Sequence, residues 1–370
     1  MSGNWQWHFI NAAAAAEFSG DPADLSGARK VREMNGERSV YYRDGFFFKS
    51  YHPRRNGLFA RLKEHLSPLA GQEFAAIKCL LRMNIPVVEP IAYGVRGTES
   101  MLITREEKDS CSVMEYLRER LGRDEEIPER FLINWSRFLA RFIASGLYFP
   151  DFNCGNLLYI EKEERFVLVD PFGLKRNRVH RSERILRMLK REFGAVFECT
   201  PKSLLVRMLS EIDATDPEGL YRRLMEYNAE YVRKSKLRNH KRLIRFRSGA
   251  STDVVDGVRI KHSSCELPFS LEHTDLIALP SDAANELWER DYLLGLYHLP
   301  LLRVVARDEA TGKLYRQQSG DREVTEEERR DLYERLALTG FRREEFDCCV
   351  NRAGLAVLRD LKFVSAAGNV

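Results

Sequence analysis

Three polar residues near the middle of the chain, Asp151, Asn156 and Asp170, have side chains that together could do chemistry. A carboxylate can accept the proton of a hydroxyl group. An amide oxygen and a second carboxylate can hold Mg²⁺, which prefers hard oxygen ligands. The pattern therefore indicates a magnesium-assisted reaction at a hydroxyl group, although Asp and Asn are also ordinary turn residues and a solvated surface hairpin would contain them too.

A β-hairpin would position these residues. The loop that begins at Asp151 leads into the apolar residues 157–160, and after a charged break a second apolar run, residues 166–169, ends on Asp170. Two apolar runs separated by a polar break predict paired strands. The hairpin would then have polar residues at both of its ends.

The N-terminal half supplies a lysine and a glutamate that could complete a site. Aromatic runs flank Asp44-Gly45, which predicts a hairpin whose second strand carries Lys49. Its ammonium could lie over phosphate oxygens, or it could be an ordinary edge-strand lysine. A helix is predicted over residues 72–83, with Glu73 in the first turn, where the helix dipole favours an acid. Beside that strand, Glu73 could pair with Lys49; alone, it would be a plain first-turn glutamate.

Further elements lie between these two parts of the chain. Strands are predicted over residues 85–94 and 100–104. The polar segment Thr104, Arg105 and Glu106 that follows is a candidate hinge whose backbone could meet an adenine edge. Helices are predicted over residues 112–120 and 128–145, the second with a core-facing stripe at helical spacing: Phe131, Leu132, Trp135, Phe138, Leu139 and Phe142.

Composition describes an ordinary globular protein. Of 370 residues, 44% are hydrophobic and 31% charged, and the net charge of +4 gives no argument for a nucleic-acid partner. Seven scattered cysteines without a C-x-x-C pair predict free thiols in a reducing compartment. No run approaches the ~20 apolar residues of a membrane span, and the N-terminus does not read as a secretory signal. The expected location is cytoplasmic, with peripheral contact with a membrane face left open.

These elements occur in protein-kinase order, and the chain resembles the bacterial lipopolysaccharide core kinases, the inner-core heptose kinase and Kdo kinase group. The resemblance covers roughly residues 30–240. It is carried by Phe47 to His52, Gly71 to Ile77, Ile85 to Gly94, Leu102-Ile103-Thr104, Asp151 to Asn156 and Val169-Asp170. It implies an α+β, bilobal protein-kinase-like fold with an antiparallel β N-lobe that has one long helix, and a mainly helical C-lobe.

The resemblance also implies cofactors and roles, with ATP and Mg²⁺ as the cofactors. Lys49 would contact the α- and β-phosphates, and Glu73 would orient it. Asp151 would be the base for a sugar hydroxyl, while Asn156 and Asp170 would hold Mg²⁺ and, through it, the nucleotide. The hinge residues Thr104, Arg105 and Glu106 would complete the nucleotide site.

Four departures from the protein-kinase pattern stand beside this resemblance. Phe149 replaces the histidine that normally braces the loop, so bracing must come from packing. Asn153 replaces the lysine typical of Ser/Thr protein kinases, which argues against a protein substrate. No G-x-G-x-x-G is present, so a phosphate-covering loop near Gly36 would have to be short. Asp170 is followed by Pro171-Phe172-Gly173, one residue more than usual.

The predicted division is an N-terminal extension (1–30), an N-lobe (31–105), a C-lobe (106–248) and a smaller C-terminal α+β unit (249–370). This last unit is either an appendage or a degenerate kinase-like repeat, in which Ala278 would stand where Lys49 does in the first copy.

The expected partner is a lipid-linked core oligosaccharide acceptor, whose anionic groups suit arginine. Two basic stretches, residues 175–187 and 233–247, could bind it or an anionic inner-membrane face, or could be solvated surface. Protein partners are not predicted. The competing hypotheses are a kinase acting on heptose or Kdo of the lipopolysaccharide inner core, a non-catalytic nucleotide-binding or scaffold module, and a kinase for another small molecule or a protein.

Overall fold

The computed structural model describes residues 4–18, 21–34, 37–52, 67–122, 126–176, 181–236, 252–261, 271–352 and 354–360. The chain divides into two compact units. The first unit consists of Met1–Val113 and Arg141–His180, and the second of Met114–Ala140 and Arg181–Val370. Helices and antiparallel sheets occur in both units, so the α+β class predicted from the sequence is confirmed.

An antiparallel sheet of six strands forms the main layer of the first unit, in the order β1-β5-β6-β4-β3-β2. Its strands are β1 (Gln6–Phe9), β2 (Arg29–Met34), β3 (Arg38–Arg43), β4 (Phe46–Tyr51), β5 (Pro90–Arg96) and β6 (Glu99–Arg105). The predicted turn joins β3 to β4, with φ of +50° at Asp44 and +82° at Gly45. Positive φ at both central residues is the hairpin turn whose twist matches the strands, and it carries Lys49 into the sheet.

Strand β1 gives the N-terminal residues a place that the sequence did not predict. It pairs with the outer edge of β5 and leads into helix α1 (Ala12–Ala16). Asn11 caps this helix by accepting a hydrogen bond from the amide of Ala14 at 2.8 Å. A Cβ added to Gly94 would lie 2.7 Å from the Trp7 ring, so the ring packs directly on the glycine backbone.

Helix α2 (Leu69–Arg82) lies against this sheet and begins three residues earlier than predicted. The amide of Gln72 bonds to the carbonyl of Pro68 at 3.0 Å, which adds a turn before Glu73. Glu73 therefore lies beyond the first turn, and the prediction that the helix dipole favours it there is wrong. It belongs instead to the buried face of the helix.

The hairpin around Asp170 forms largely as predicted. Strands β9 (Leu157–Ile160) and β10 (Arg165–Leu168) pair, β7 (Ser110–Ser112) joins β9, and β8 (Leu147–Tyr148) pairs with β11 (Lys175–Arg176). The strand predicted from Ile85 begins only at Pro90. The preceding residues cross to the hairpin, where Val88 donates to the Leu168 carbonyl at 3.1 Å and Leu168 donates to Pro86 at 3.0 Å.

Helices dominate the first half of the second unit. They are α3 (Val113–Gly122) and α4 (Glu129–Ala144), each of which has residues in both units, and α5 (Arg181–Phe197), α6 (Lys202–Ser210) and α7 (Pro217–Tyr231). The stripe of α4 that was predicted to be core is buried at every position. Trp135 of this stripe meets Phe193 of α5 edge-on, with ring centroids 5.2 Å apart.

The C-terminal residues form a second α+β layer. Five strands lie in the order β12-β13-β15-β16-β14, and β17 pairs with β18. The elements are β12 (Thr252–Val255), β13 (Val258–Lys261), β14 (Thr274–Ile277), α8 (Ser281–Gly295), β15 (Val304–Asp308), β16 (Leu314–Gln317), α9 (Glu326–Thr339), β17 (Phe346–Val350) and β18 (Ala356–Asp360). Leu294, Leu336 and Leu358 share one core with Ala229 of α7, so this layer packs directly on the helices.

A buried lysine, Lys261, lies in this layer, whereas the predicted repeat has Ala278 at the position that corresponds to Lys49. Ala278 follows β14, whereas Lys261 ends β13 and donates to Asp291 of α8 at 2.8 Å. Lys261 follows an Asp256-Gly257 turn with φ of +50° and +79°, at the spacing that separates Lys49 from its own turn. The likeness is local, and the repeat stays a prediction.

Candidate functional site

Lys49 and Glu73 form an ion pair in the interior of the first unit. The ammonium of Lys49 lies 2.7 Å from Oε1 of Glu73, whose side chain is fully buried. Burial alone would lower the pKa of Lys49, but the carboxylates of Glu73 and Asp170 outweigh it and raise that pKa above its usual value. Lys49 is therefore an ammonium group held in a fixed position, which is the form that can bind phosphate.

Asp170 meets the same ammonium from the other side. Its Oδ1 accepts a hydrogen bond from Lys49, and φ of +57° puts its backbone in the left-handed region. Burial would raise the pKa of this carboxyl, but Lys49 and Arg38 hold it well below its usual range. Asp170 is therefore ionised.

Arg38 and Tyr51 complete the cluster, and the sequence predicted neither. Nη2 of Arg38 lies 2.6 Å from Oδ1 and 2.5 Å from Oδ2 of Asp170. The hydroxyl of Tyr51 donates to Oε2 of Glu73, and the Arg38 guanidinium lies 5.5 Å from the Tyr51 ring centroid. The two residues face each other in the β3–β4 ladder. The sequence signal that could have predicted both residues is the hairpin register, which puts Arg38 opposite Tyr51, together with the position of Tyr51 two residues after Lys49.

The loop from Asp151 brings Asn156 into contact with Val169, the residue before Asp170. Asn156 donates from Nδ2 to the Asp151 carbonyl at 3.0 Å, and the amide of Val169 donates to the Asn156 carbonyl at 2.9 Å. Asn153 caps the turn of Cys154–Asn156 by accepting from the amide of Gly155 at 2.9 Å. The Asp151 side chain is exposed at the start of the loop, where a second reactant has access to it.

The residues present fit a magnesium ion. Asn156 is anchored by its amide nitrogen, which leaves the oxygen end for a cation, and Asp170 adds an ionised carboxylate. Within the described ranges no group of three or more His, Cys, Asp or Glu side chains could hold a metal by itself. Mg²⁺ is commonly bound through one or two protein carboxylates together with substrate phosphates, and Asn156 and Asp170 would be the protein ligands here.

Aromatic packing supports the loop where the usual histidine is missing. Phe149 and Phe152 are 2% and 1% exposed, and their ring centroids lie 6.1 Å apart at an interplanar angle of 74°. Phe142 packs on Phe152 at 4.9 Å. The amide of Phe152 also donates to the Phe149 carbonyl at 3.2 Å. The expected bracing by packing is present.

The candidate hinge is largely engaged within the chain. The amides of Arg105 and Glu106 donate to the carbonyls of Glu89 and Gly45, at 2.9 and 2.8 Å. The Arg105 side chain bonds to Glu89 and Glu17, Glu106 accepts from Tyr42, and Thr104 is buried in β6. An adenine edge would therefore have to use groups of this segment other than those two amides.

Of the basic stretches, only parts lie in the described residues. Lys175 and Arg176 form β11 and are exposed, and Lys175 stands opposite Tyr148, just before the loop of Asp151. Residues 177–180 and 237–247 lie outside the described part of the chain, as do Asn35 and Gly36 of the predicted phosphate-covering loop. In the described part, no helix has the length and apolar character needed to cross a bilayer.

Comparison with solved structures gives partial likenesses. WbdD, solved at 2.2 Å, matches at 16% identity and a TM-score of 0.31, over 44% of this chain and 36% of that chain. A second structure, of the bifunctional kinase-methyltransferase WbdD, gives 16% and 0.29 over 48% and 35%. The Cydia pomonella granulovirus kinase PK-1 gives 18% and 0.31 over 44% and 58%. The chain thus spans about a third of WbdD.

A search of curated proteins found no match. The model of the lipopolysaccharide kinase (Kdo/WaaP) family matches residues 24–202, slightly less than half of the chain. This segment contains Arg38, Lys49, Glu73, the loop from Asp151 to Asn156, and Asp170. The residues of the cluster therefore lie in the part of the chain that is similar to the lipopolysaccharide kinase (Kdo/WaaP) family.

Proposed function

We propose that this protein is an ATP- and Mg²⁺-dependent kinase that transfers the γ-phosphoryl group to a sugar hydroxyl, on heptose or Kdo, of the lipopolysaccharide inner core. The observation that carries the proposal is the connected set of Glu73, Lys49 and Asp170, with Lys49 held 2.7 Å from Glu73 and hydrogen-bonded to Asp170. This set lies in the segment that matches a family of kinases. Its ammonium and carboxylate groups have the charges that binding of nucleotide phosphates and a metal ion requires.

Each residue then has a separate task. Lys49, positioned by Glu73, neutralises charge on the α- and β-phosphates. Asn156 and Asp170 would hold Mg²⁺, and the bound ion would offset the negative charge that develops on the transferred group. Asp151 accepts the proton of the sugar hydroxyl as the hydroxyl oxygen attacks the γ-phosphorus. The bond from this phosphorus to the β–γ bridging oxygen breaks, and ADP leaves with that oxygen. Phosphoryl transfer needs little beyond such positioning and electrostatic stabilisation, so these side chains suffice.

The acceptor is a lipid-linked, anionic core oligosaccharide. Lys175 and Arg176 support this choice, because β11 pairs with β8 and so puts two exposed cations beside the strand that leads to Asp151. Cations there would attract the carboxylates and phosphates of the inner core. The same exposed charges would favour peripheral contact with an anionic membrane face.

Asp151→Asn tests the proposal. With lipid A–core acceptor and Mg-ATP, the wild type should add one phosphate, seen by mass spectrometry of the product. The variant should lose about 10²- to 10⁴-fold in turnover, which is the usual contribution of a positioned base, while its nucleotide affinity stays the same. Asp109→Asn is the matched control, since Asp109 is an exposed carboxylate of the same unit that pairs with Lys162.

Two results would contradict the proposal. Full activity in Asp151→Asn would remove that residue from the mechanism. Nucleotide binding by the wild type without transfer to any core glycan would favour a non-catalytic nucleotide-binding module instead.

A further inference from the structure

Arg38 occupies the carboxylate that the proposed reaction needs for its metal. One nitrogen, Nη2, lies within 2.6 Å of both oxygens of Asp170. Lys49 also donates a hydrogen bond to Oδ1 of Asp170. A dication bound to Asp170 would therefore meet two cations on the same carboxylate. At least one of them has to leave before a metal can bind there.

Of the two cations, Arg38 is the one that can leave. Lys49 has a second carboxylate, Glu73, which holds it in place at 2.7 Å. Within the described residues, Asp170 is the only carboxylate that accepts a hydrogen bond from Arg38. Nε of Arg38 is buried and has no hydrogen-bond partner there, so its guanidinium is only partly satisfied where it lies.

The position of Arg38 in the sheet would also allow it to bind nucleotide phosphates once it leaves Asp170. Arg38 begins β3, four residues after Met34 ends β2, and the connection between the first two strands of a kinase N-lobe is where a glycine-rich loop covers the phosphates of a nucleotide. This chain has no such glycine pattern. A guanidinium fork binds phosphate oxygens through charged hydrogen bonds, and the Tyr51 ring, 5.5 Å away, keeps the group on this side of the sheet.

We propose that Arg38 is a nucleotide-phosphate ligand that covers Asp170 until nucleotide arrives, and then transfers to the phosphates and exposes Asp170 to the metal. This rests on the proposed kinase function and assigns to one side chain the task that backbone amides of a glycine-rich loop perform elsewhere. Metal and nucleotide then bind in a linked way, because the phosphates draw away the cation that competes with the metal.

The two ligands respond in opposite directions to loss of Arg38. Arg38→Gln removes the competing cation, so Mn²⁺ alone, followed by electron paramagnetic resonance, should bind several-fold more tightly. ATP in EDTA, followed by calorimetry, should bind about ten- to a hundredfold more weakly, because charged hydrogen bonds to phosphate are lost. Arg38→Lys should restore part of the ATP affinity, since it keeps the charge without the fork.

Arg43→Gln is the matched control. Arg43 ends the same strand, and its side chain has nearly the same exposure, 24% against 21%. It contacts Asp44 and the Phe48 ring rather than Asp170. Both affinities should be unchanged in this variant, and its thermal melting should match that of Arg38→Gln.

Three outcomes separate the possibilities. Opposite changes in Mn²⁺ and ATP affinity support the role of Arg38. If both affinities fall together, or neither changes while the wild type still binds Mg-ATP, the role of Arg38 is rejected and the kinase proposal is untouched. If the wild type binds no nucleotide with or without metal, the kinase proposal fails, and this inference fails with it.

Discussion

Replacing Lys49 by methionine is expected to destabilise the protein as well as abolish nucleotide binding. Glu73 is fully buried and accepts hydrogen bonds from Lys49 and Tyr51. Without the ammonium, its carboxylate would be an uncompensated charge in the interior, which costs about 3–5 kcal/mol of unfolding free energy. The loss of Lys49 should cost less unfolding free energy at Asp170, because Arg38 still pairs with that carboxylate.

The double variant Lys49→Met/Glu73→Gln separates charge from lost packing. In the double variant a neutral amide replaces the carboxylate of Glu73, so no uncompensated charge is buried. The double variant should therefore recover most of the stability that Lys49→Met loses. Urea unfolding measures the unfolding free energy of the single and of the double variant, and hydrogen exchange of the β4 amides measures the local stability of the strand. Nucleotide binding should be absent from both. Equal stabilities of the single and double variants would show that Glu73 is not held as an ion in this interior.

Two more predictions concern side chains outside the phosphate cluster. Phe149→Ala should cost about 3–5 kcal/mol in urea unfolding through the cavity it leaves, and should slow turnover while nucleotide affinity stays the same; an unchanged midpoint would exclude bracing by packing. Burial lowers the pKa of Lys261 from 10.5 to about 8, so between these pH values the unfolded chain binds more protons than the folded one. The wild type should therefore gain roughly a few kcal/mol over Lys261→Met as pH rises from 8 to 10.5, and parallel stability curves for the two proteins would refute this.

Local patterns predicted the elements of the site well. The Asp44-Gly45 turn and the two apolar runs before Asp170 are short-range signals, and both hairpins formed as expected. The stripe of α4 was predicted as core because helical periodicity over many residues is hard to mimic by chance. Local patterns predicted the pairing of Lys49 with Glu73 only on the condition that the helix lies beside the strand, and the resemblance supplied that relative position.

What the sequence did not predict depends on tertiary contacts. Arg38 is one arginine among many, and only the register opposite Tyr51 and the approach of a hairpin far along the chain make it a partner of Asp170. Strand β1 is four residues long and has meaning only once the edge of β5 exists. The start of α2 lies at a proline without a side-chain cap, so no capping signal marked it.

The two buried lysines show why a shared local motif does not imply a shared function. Lys49 faces two carboxylates, and one of them, Asp170, is 25% exposed, so ligands can reach the pair; its pKa is raised. Lys261 shares a single carboxylate, Asp291, with a second buried cation, Arg303, and its pKa is lowered. The first arrangement has the charges that phosphate and a metal would require, with Asp170 becoming available to the metal when Arg38 leaves it. The second is a sealed polar contact in which every charge already has a partner, and this favours a structural role for the lysine of the C-terminal layer.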